Sequence, residues 1–226
     1  MTNLYKNYSY EYKNIQKYFE KILIKQRKKF YEIFSREIKI KENFKILDVG
    51  TSNTLNDYDN FFLNYYPYKN NITCLSNQNL TLVKKKYPEI NVIVGDGRRI
   101  NLSSKAFEVV FSNAVLEHVG SNNNQFKFIS ECLRVSKKYV FIITPYRYFP
   151  IELHTKIPFL HFLPKKIFRR ILNIFGENFL SKEENLNLLT GNDISKMCKK
   201  LNLKKFKINY SYFLGFRSNI ILRIEK

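Results

Sequence analysis

Short apolar runs alternate along the chain with stretches whose apolar residues recur every three or four positions. The run at 46–49 consists of Ile, Leu and Val around Asp48, and it predicts a strand buried on both faces, as in a parallel sheet. Gly50 ends this strand, and the small polar residues 51–56 lead into a helix. The same alternation predicts further strands at 71–75, 91–95, 107–111 and 138–144 and helices at 61–66, 80–87, 125–135 and 194–201.

The two ends of the chain complete this pattern. Residues 206–214 and 218–224 predict two strands joined by a tight turn at Gly215. Between residues 10 and 40, helical spacing of apolar residues predicts one or two amphipathic helices. We expect them to cap the sheet or its carboxyl edge, and packing is the favoured role. Alternating strands and helices with a closing hairpin predict an α/β fold with a mostly parallel sheet.

Size and composition restrict the class of protein. The 226 residues are enough for one domain with an ample core. No run reaches the ~18 apolar residues of a membrane span, and the polar residues 1–6 lack the apolar block of a signal peptide. Cys74, Cys132 and Cys198 are odd in number and widely spaced, so we expect buried free thiols rather than disulfides or a zinc site. These features favour a bacterial-type cytoplasm.

The net charge of +20 has two interpretations. One is an acidic partner such as nucleic acid, an anionic membrane surface or a phosphorylated substrate. The other is compositional drift, because the chain is rich in Lys, Asn, Ile, Phe and Tyr throughout, as an AT-rich genome would favour. The lysines are spread along the whole chain, so we favour drift.

The strand at 46–49 also places candidate chemistry at one edge of the sheet. A strand, a glycine turn and a helix start bring backbone N–H groups and the Asp48 carboxylate to the carboxyl edge, where open α/β sheets bind nucleotide-like cofactors. The sequence contains no phosphate-binding loop, no Gly-x-Gly-x-x-Gly fingerprint and no Gly-x-Ser-x-Gly elbow. The histidines lack the spacing and the acidic or thiol company of a metal site, so we expect no metal.

Five motifs in order resemble those of class I S-adenosylmethionine-dependent methyltransferases, specifically a bacterial branch of the type-11 subfamily. They cover roughly residues 44–226. The resemblance implies a Rossmann-like α/β fold, with a seven-stranded, mostly parallel sheet, an antiparallel last strand and helices on both faces. It also implies S-adenosylmethionine as cofactor. The motifs are Ile-Leu-Asp-Val-Gly at 46–50, Val-Gly-Asp-Gly at 94–97, the stretch 107–119 ending in Leu-Glu-His-Val, Thr-Pro-Tyr-Arg-Tyr-Phe-Pro-Ile-Glu-Leu-His-Thr at 144–155 and Glu-Asn-Leu-Asn-Leu-Leu at 184–189.

The resemblance assigns cofactor contacts residue by residue. Asp48, Gly50 and Thr51 correspond to the end that holds the cofactor's amino acid, and Asp96 would accept a hydrogen bond from the adenine amino group. The remaining cofactor-binding positions are Ser76 near the ribose, Gly97 and Arg98 through their backbone, and Ser112 and Asn113 below the sulfonium.

Two departures from the family pattern bear on cofactor affinity. Thr51, Ser52 and Asn53 stand where the family usually has further glycines, and each Cβ narrows the space for the cofactor. The second predicted strand ends in Ser76 and Asn77 rather than in an acidic residue that grips the ribose. A chain that kept the fold and lost its activity would look like this, so a binding protein without catalysis is one alternative.

Methyl transfer needs alignment of the acceptor with the methyl group, and a base where the acceptor carries a proton. His118 follows the fourth predicted strand and His154 the fifth, so both are catalytic candidates. Glu152 lies two residues before His154, so in an extended segment both side chains would face the pocket, and the carboxylate would increase the basicity of the imidazole. For both histidines a purely structural role is an equal alternative. His161 lies between apolar residues and is expected to pack.

Residues 157–176 combine an apolar, Pro-bounded stretch with a basic amphipathic helix. Lys165, Lys166, Arg169 and Arg170 occupy one helical face, and apolar side chains occupy the other. The favoured interpretation is a lid over the substrate pocket. A helix at a membrane surface ranks second, and RNA binding ranks third.

The sequence therefore predicts a single methyltransferase domain over residues 1–226. It divides into a helical cap at 1–43, a cofactor-binding core at 44–144, a substrate or lid insert at 145–190 and a last helix with a hairpin at 191–226. The expected function is methyl transfer to a small-molecule, glycan or lipid-linked acceptor, in the cytoplasm or peripherally at the inner membrane surface. An RNA-binding methyltransferase is the other alternative, and nucleic acid is the less favoured partner.

Overall fold

A computed structural model describes the backbone of residues 2–151, 154–155 and 157–226, and the side chains of these residues from 20 onward. Glu152 therefore lies outside the described residues. Six helices and seven strands follow one another along the chain. The helices are α1 (Thr2–Ile38), α2 (Phe61–Tyr65), α3 (Thr81–Lys86), α4 (Asn122–Val135), α5 (Lys165–Ile174) and α6 (Gly191–Lys200). The strands are β1 (Ile46–Val49), β2 (Ile72–Ser76), β3 (Asn91–Val94), β4 (Phe107–Asn113), β5 (Ser136–Pro145), β6 (Phe206–Phe213) and β7 (Phe216–Glu225).

All seven strands form one sheet in the order β3-β2-β1-β4-β5-β7-β6. The first five pair in parallel, and β7 is antiparallel to both β5 and β6. This confirms the predicted Rossmann-like fold with its antiparallel last strand. The hairpin turns at Leu214 and Gly215, which both have positive φ, as a tight two-residue hairpin turn requires.

Hydrophobic cores lie on both faces of the sheet. One face packs on α4 and α6, and its buried residues include Phe128, Ile129 and Ile194. The opposite face packs on α1, α2 and α3 through an aromatic cluster, in which Phe34 contacts Phe62 and Phe111 edge to face. The strands covered by both layers are buried throughout, which is why β1 and β2 appear in the sequence as mostly apolar runs.

The N-terminal cap is one 37-residue helix, α1, rather than the two helices that the spacing also allowed. Phe30, Phe34 and Ile38 bury its last turns against the sheet. All three cysteines are buried and free, as predicted. Among the residues that the structure describes, no helix is both long and apolar enough to cross a membrane.

Candidate functional site

The sheet has a topological switch point between β1 and β4. The chain winds outward from β1 to β2 and β3 and then returns to place β4 on the other side of β1. Open α/β sheets bind ligands in the crevice that this reversal leaves beyond the carboxyl ends of the strands. The predicted site residues of β1, β2 and β4 lie at this edge, and the loops after β3, β4 and β5 surround it.

At the end of β1, Asp48 is a buried carboxyl group. Only 6% of the residue is exposed, and its Oδ2 accepts a hydrogen bond of 3.0 Å from the Thr51 hydroxyl. Burial raises the pKa of Asp48 to about 7, and the Thr51 hydroxyl only partly opposes this shift. An ammonium group bound at this edge would therefore favour the ionised form of the Asp48 carboxyl group.

Gly50 gives the backbone its turn at this point. Its φ is +96°, and its N–H donates to Leu75 O over 2.8 Å. A Cβ at Gly50 would lie 2.1 Å from Val115 Cγ2, so the turn after β1 and the loop after β4 meet closely here.

The residues that replace the family's further glycines have structural partners of their own. Asn60 holds the loop together, since its side-chain amide donates to Ser52 O over 2.8 Å and to Thr54 O over 3.0 Å. The Asn53 carboxamide oxygen accepts from Leu82 N over 2.9 Å at the start of α3. This loop is ordered by side chains rather than by glycine turns.

Asp96 and Arg98 form an ion pair in the loop after β3. Arg98 Nη2 lies 2.7 Å from Asp96 Oδ2, and Arg98 N donates to Asp96 Oδ1 over 2.8 Å. The bonds from Arg98 hold the pKa of Asp96 below its usual value. Gly97 lies against Phe128 and Val49, because a Cβ there would approach Phe128 Cε2 to 2.5 Å. The Asp96 carboxylate, which is predicted to accept a hydrogen bond from adenine, is thus ionised and paired with Arg98. A bound adenine would either replace Arg98 at this carboxylate or bind beside it.

The serines predicted to line the cofactor site are buried. Ser112 is fully buried and its hydroxyl donates to Val49 O over 2.8 Å, so in this geometry it braces β1 rather than facing an open cleft. Ser76 is 3% exposed, and its hydroxyl accepts from Gln78 N. Asn113 faces the edge and accepts a hydrogen bond from Arg27 Nη1 over 3.2 Å.

The helix α1 reaches over this edge as well as packing on the sheet. Arg27 contacts Asn113, and burial lowers the pKa of its guanidinium, although Glu117 and Asp59 act in the opposite direction. Gln26 donates to Ser218 Oγ over 2.9 Å and to Asn219 Oδ1 over 3.1 Å at the start of β7. The helix α1 therefore covers the sheet and also contacts its carboxyl edge, which are the two positions predicted for the N-terminal segment.

His118 and His154 meet on the acceptor side of the edge. Their Nε2 atoms lie 3.0 Å apart, and the two rings are nearly perpendicular with centroids separated by 4.7 Å. His118 Nδ1 donates to the Asn185 carbonyl oxygen over 2.7 Å, which leaves Nε2 as the acceptor nitrogen of a neutral His118 ring. Glu117 Oε1 lies 3.8 Å from His118 Nε2. The argument from chain spacing, which predicted no metal site, overlooked this cluster.

A buried polar network holds these segments in place. Glu117 is fully buried and its Oε2 accepts from the Thr144 hydroxyl over 2.9 Å. Gln125 Nε2 donates to Leu116 O over 3.1 Å and to Asn187 O over 2.7 Å. Asn187 N in turn donates to Glu117 O over 2.7 Å. The loop after β4 is therefore tied to the segment before α6.

The insert after β5 folds back over this side of the molecule. Phe168 and Leu172 of α5 are buried against Leu186 and Leu188, so this helix packs on the segment before α6. His161 is 2% exposed, and its Nε2 lies 2.7 Å from Phe149 O, which confirms the prediction that it packs. Other apolar residues of the insert remain exposed, namely Phe159, Phe162, Leu163, Ile167, Ile174 and Phe175.

Sequence reasoning missed several residues of the site. Arg27 lies in a segment whose spacing predicts mainly packing, Gln125 lies in a predicted helix, and Asn187 lies in a family motif. The signal that was available for the network is Glu117, an acidic residue in the mostly apolar stretch 114–119 just after a predicted strand. The partners within it were not predictable, because they lie 62 residues apart in the case of Gln125 and Asn187.

Comparison with known proteins shows what this chain is similar to. Residues 47–144 match the family model described as a methyltransferase domain, of type 11. None of the curated proteins compared with this chain matches it in sequence.

Solved structures with the same fold include several methyltransferases. The magnesium protoporphyrin IX methyltransferase of Synechocystis, solved with S-adenosylhomocysteine, is 10% identical with a TM-score of 0.55, covering 89% of this chain and 83% of its own. An S-adenosylmethionine-dependent methyltransferase from Aquifex aeolicus is 14% identical with a TM-score of 0.54, covering 86% and 88%. One from Archaeoglobus fulgidus is 13% identical with a TM-score of 0.52, covering 87% and 99%.

Proposed function

We propose that the chain is an S-adenosylmethionine-dependent methyltransferase and that it transfers the methyl group to an acceptor bound between the cofactor and the lid; the match of residues 47–144 to a methyltransferase domain supports this. In this proposal, residues 44–144 hold the cofactor and residues 145–190 cover the acceptor, which is a small molecule, a glycan or a lipid-linked compound. The observation that carries the proposal is the convergence of Asp48, Gly50 and the loop of Asp96 at the switch point of the sheet.

The proposed cofactor position follows from charge and from space. The cofactor's ammonium group pairs with Asp48, and the turn at Gly50 lets its amino-acid end approach the backbone. The adenine amino group donates to Asp96, with the backbone of Gly97 and Arg98 beside it. Thr51, Ser76, Ser112 and Asn113 are the further residues proposed to form this site.

The proposed reaction is an in-line displacement. A lone pair of the acceptor atom attacks the methyl carbon, the carbon–sulfur bond breaks, and its electron pair stays on sulfur to give S-adenosylhomocysteine. The protein's main task is to align the acceptor. In this proposal His118 and His154 orient the acceptor; their Nε2 atoms lie 3.0 Å apart, in the segments that follow β4 and β5. A base role for either histidine, with Glu152, stays a prediction.

Calorimetric titration with S-adenosylhomocysteine tests the cofactor site. We expect micromolar binding to the unchanged chain and a loss of at least about tenfold in Asp96→Ala, because a hydrogen bond to a charged group is removed. Glu89→Ala is the matched control, since Glu89 is an exposed carboxylate just before the amino end of β3. If the unchanged chain does not bind S-adenosylhomocysteine even at millimolar concentration, the alternative of a protein that kept the fold and lost its cofactor site is favoured.

A membrane surface is the second part of the proposal. The exposed apolar side chains of the insert, including Ile174 at 75% and Phe175 at 71%, stand beside the exposed cations Lys166 and Arg170. Apolar side chains with neighbouring cations fit the acyl boundary and headgroups of an anionic bilayer. A peripheral position there would bring the lid close to a lipid-linked acceptor.

Sedimentation with vesicles tests the membrane contact. We expect binding to vesicles that contain phosphatidylglycerol, weaker binding to neutral phosphatidylcholine, and a loss of binding in the double variant Ile174→Ser, Phe175→Ser. Leu82→Ser is the control, because Leu82 is an exposed apolar residue on α3, outside the insert. Equal binding of the double variant, or salt-sensitive binding to RNA in its place, would contradict the proposal.

A further inference from the structure

Three potential ligand atoms converge beside the acceptor side of the sheet edge. Glu117, His118 and His154 each offer one oxygen or nitrogen, and these atoms all lie within 4.8 Å of one another. We propose that these three side chains bind one divalent transition-metal ion.

The separations from His118 Nε2 to its two neighbours are close to those around a single ion, and the third pair, Glu117 and His154, lies within 4.8 Å. The two Nε2 atoms are 3.0 Å apart, and Glu117 Oε1 is 3.8 Å from His118 Nε2. Ligands about 2.0–2.1 Å from a tetrahedral ion stand roughly 3.3–3.4 Å from each other, so shifts of a few tenths of an ångström close the site. Two imidazole nitrogens and one carboxylate oxygen suit Zn²⁺, Co²⁺ or Fe²⁺ better than Mg²⁺ or Ca²⁺, which prefer oxygen ligands throughout.

The groups behind the ligands orient them toward the ion. His118 Nδ1–H donates to the Asn185 carbonyl oxygen, which fixes the tautomer that turns the Nε2 lone pair into the cluster. The Thr144 hydroxyl donates to Glu117 Oε2 and so directs the other oxygen, Oε1, inward. A ligand histidine bonded to a carbonyl and a ligand carboxylate bonded to a hydroxyl are the usual outer contacts of metal sites.

Glu117 supplies an independent reason for a cation. The residue is fully buried, and its Oε1 has no hydrogen-bond partner among the described residues. Leaving a buried carboxylate oxygen unpaired is costly, and such groups are usually paired or coordinate metals. The charged group that acts on Glu117 from α1 is Arg27, but Arg27 donates to Asn113, and no ion pair within 4.0 Å joins it to Glu117 in the described part of the chain.

The cluster is also accessible. The side chain of His118 is 36% exposed, and three protein ligands leave at least one coordination position of the ion open, as in catalytic rather than structural sites. An acceptor oxygen could take that position, which would place it at the edge where the methyl group is expected. This use of the ion rests on the proposed function, whereas the binding itself does not.

The alternative is an N–H···N hydrogen bond between the two imidazoles, without metal. The two arrangements differ in what they require of Glu117. A hydrogen-bonded pair of histidines has no need of the carboxylate, whereas an ion held by three ligands loses affinity when any one is replaced.

Metal binding by the chain, purified without a polyhistidine tag, tests the proposal. The apo protein is titrated with Zn²⁺ against a chromophoric chelator and, separately, with Co²⁺ while the visible absorption of the ion is recorded. We expect one ion per chain and a visible Co²⁺ band that Zn²⁺ displaces. Each of Glu117→Gln, His118→Gln and His154→Gln should weaken binding by more than about tenfold, and Thr144→Val by about 10–100-fold.

The controls separate this site from adventitious binding and from misfolding. Glu184→Gln removes an exposed carboxylate of the neighbouring segment and should bind as the unchanged chain does. Glu117→Gln keeps the side-chain shape, so its far-ultraviolet circular dichroism should be unchanged. Ions should raise the melting temperature of the unchanged chain but not that of Glu117→Gln.

Three results would overturn the proposal: no binding of Zn²⁺ or Co²⁺, binding that Glu117→Gln leaves unaltered, or binding that Glu184→Gln weakens equally. The titration with S-adenosylhomocysteine is run on the same samples with and without a chelator. If the ion does not bind while S-adenosylhomocysteine does, the metal proposal fails and the proposed function stands. If the ion binds while S-adenosylhomocysteine does not, the metal proposal stands and the proposed function fails.

Discussion

The acidic residues of the cofactor half and the histidines of the acceptor half differ in how far away along the chain their partners lie. In the cofactor half, Asp48 pairs with Thr51 and Asp96 pairs with Arg98, partners that are three and two residues apart. In the acceptor half, His118 contacts His154 and Asn185, which are 36 and 67 residues away. Local contacts leave a motif in the sequence, while long-range contacts exist only once the chain has folded. The short-range pairs of Asp48 and Asp96 were therefore predictable, whereas the contacts that His118 makes with His154 and Asn185 were not.

Asp48→Asn should give the largest effect in the cofactor half. Burial raises the pKa of Asp48 from 3.8 to about 7, so the folded chain keeps a proton there that the unfolded chain has released. This contribution to stability is present at low pH and is lost as the pH rises through 7, by about 4 kcal/mol in total. The amide introduced by Asp48→Asn does not ionise, so thermal melting from pH 4 to pH 8 should lose this pH dependence, and the variant should be more stable at pH 8.

The same substitution should have the opposite effect on the cofactor. Removing the carboxylate that faces the ammonium group should weaken S-adenosylhomocysteine binding by about tenfold or more. Thr51→Val is the comparison, because it removes the hydroxyl that donates to Asp48 and keeps the carboxylate. A variant Asp48→Asn that binds as tightly as the unchanged chain would exclude Asp48 from the cofactor site.

Gly50→Ala tests the close contact between the turn after β1 and Val115 in the loop after β4. The Cβ would clash with Val115 at a backbone φ of +96°, so we expect a loss of about 3 kcal/mol from the strain and the overpacking together. Gly176→Ala is the matched control, because Gly176 also has positive φ but nothing lies within 4 Å of a Cβ there. It should cost about 1 kcal/mol in chemical denaturation. Equal losses in the two variants would mean that the contact with Val115 is unimportant.

Gln125→Leu should damage the acceptor half alone. It leaves the buried carbonyl groups of Leu116 and Asn187 without their donor, at a cost of about 2 kcal/mol in urea unfolding. Affinity for S-adenosylhomocysteine should be unchanged, since the Gln125 amide donates to Leu116 and Asn187 rather than to residues proposed to hold the cofactor. Asn101→Leu, at an exposed position, should change stability by less than about 0.5 kcal/mol. A parallel fall in cofactor affinity would show that the halves are coupled through this network.

Arg98→Ala should give the smallest effect. The ion pair with Asp96 is exposed, with 42% and 46% of the two side chains accessible, so its loss should cost less than about 1 kcal/mol. Because Arg98 occupies the carboxylate that adenine is expected to use, cofactor affinity should change by less than about fivefold in either direction. Thermal melting and calorimetry check both values, and a complete loss of binding would assign the side chain of Arg98 a direct role.

The order of the helices and strands and the type of each were predictable from the sequence. The predicted and observed elements differ in where they begin and end. Each predicted strand appears in the sheet, because apolar runs between polar turns leave few alternatives. The helix α4 begins at Asn122 rather than at 125, since Ser121 caps it by accepting a hydrogen bond from Asn124 N. That cap was visible in the sequence but was not used.

The candidate site was predictable only as far as its residues follow strand ends. Asp48, Asp96, His118 and His154 were found because β-strand ends meet at one edge of a parallel sheet. Two hydrogen bonds depend on tertiary packing, which a pattern along the chain does not encode. They join the Ser112 hydroxyl to Val49 O and Arg27 of α1 to Asn113.

A crystal structure of the chain with S-adenosylhomocysteine tests the central claim most directly. The account predicts the adenine amino group within about 3 Å of an Asp96 oxygen, and the amino-acid end beside Asp48 and Gly50, with the sulfur directed toward His118 and His154. Ligand density on another surface, or none at saturating ligand, would contradict it.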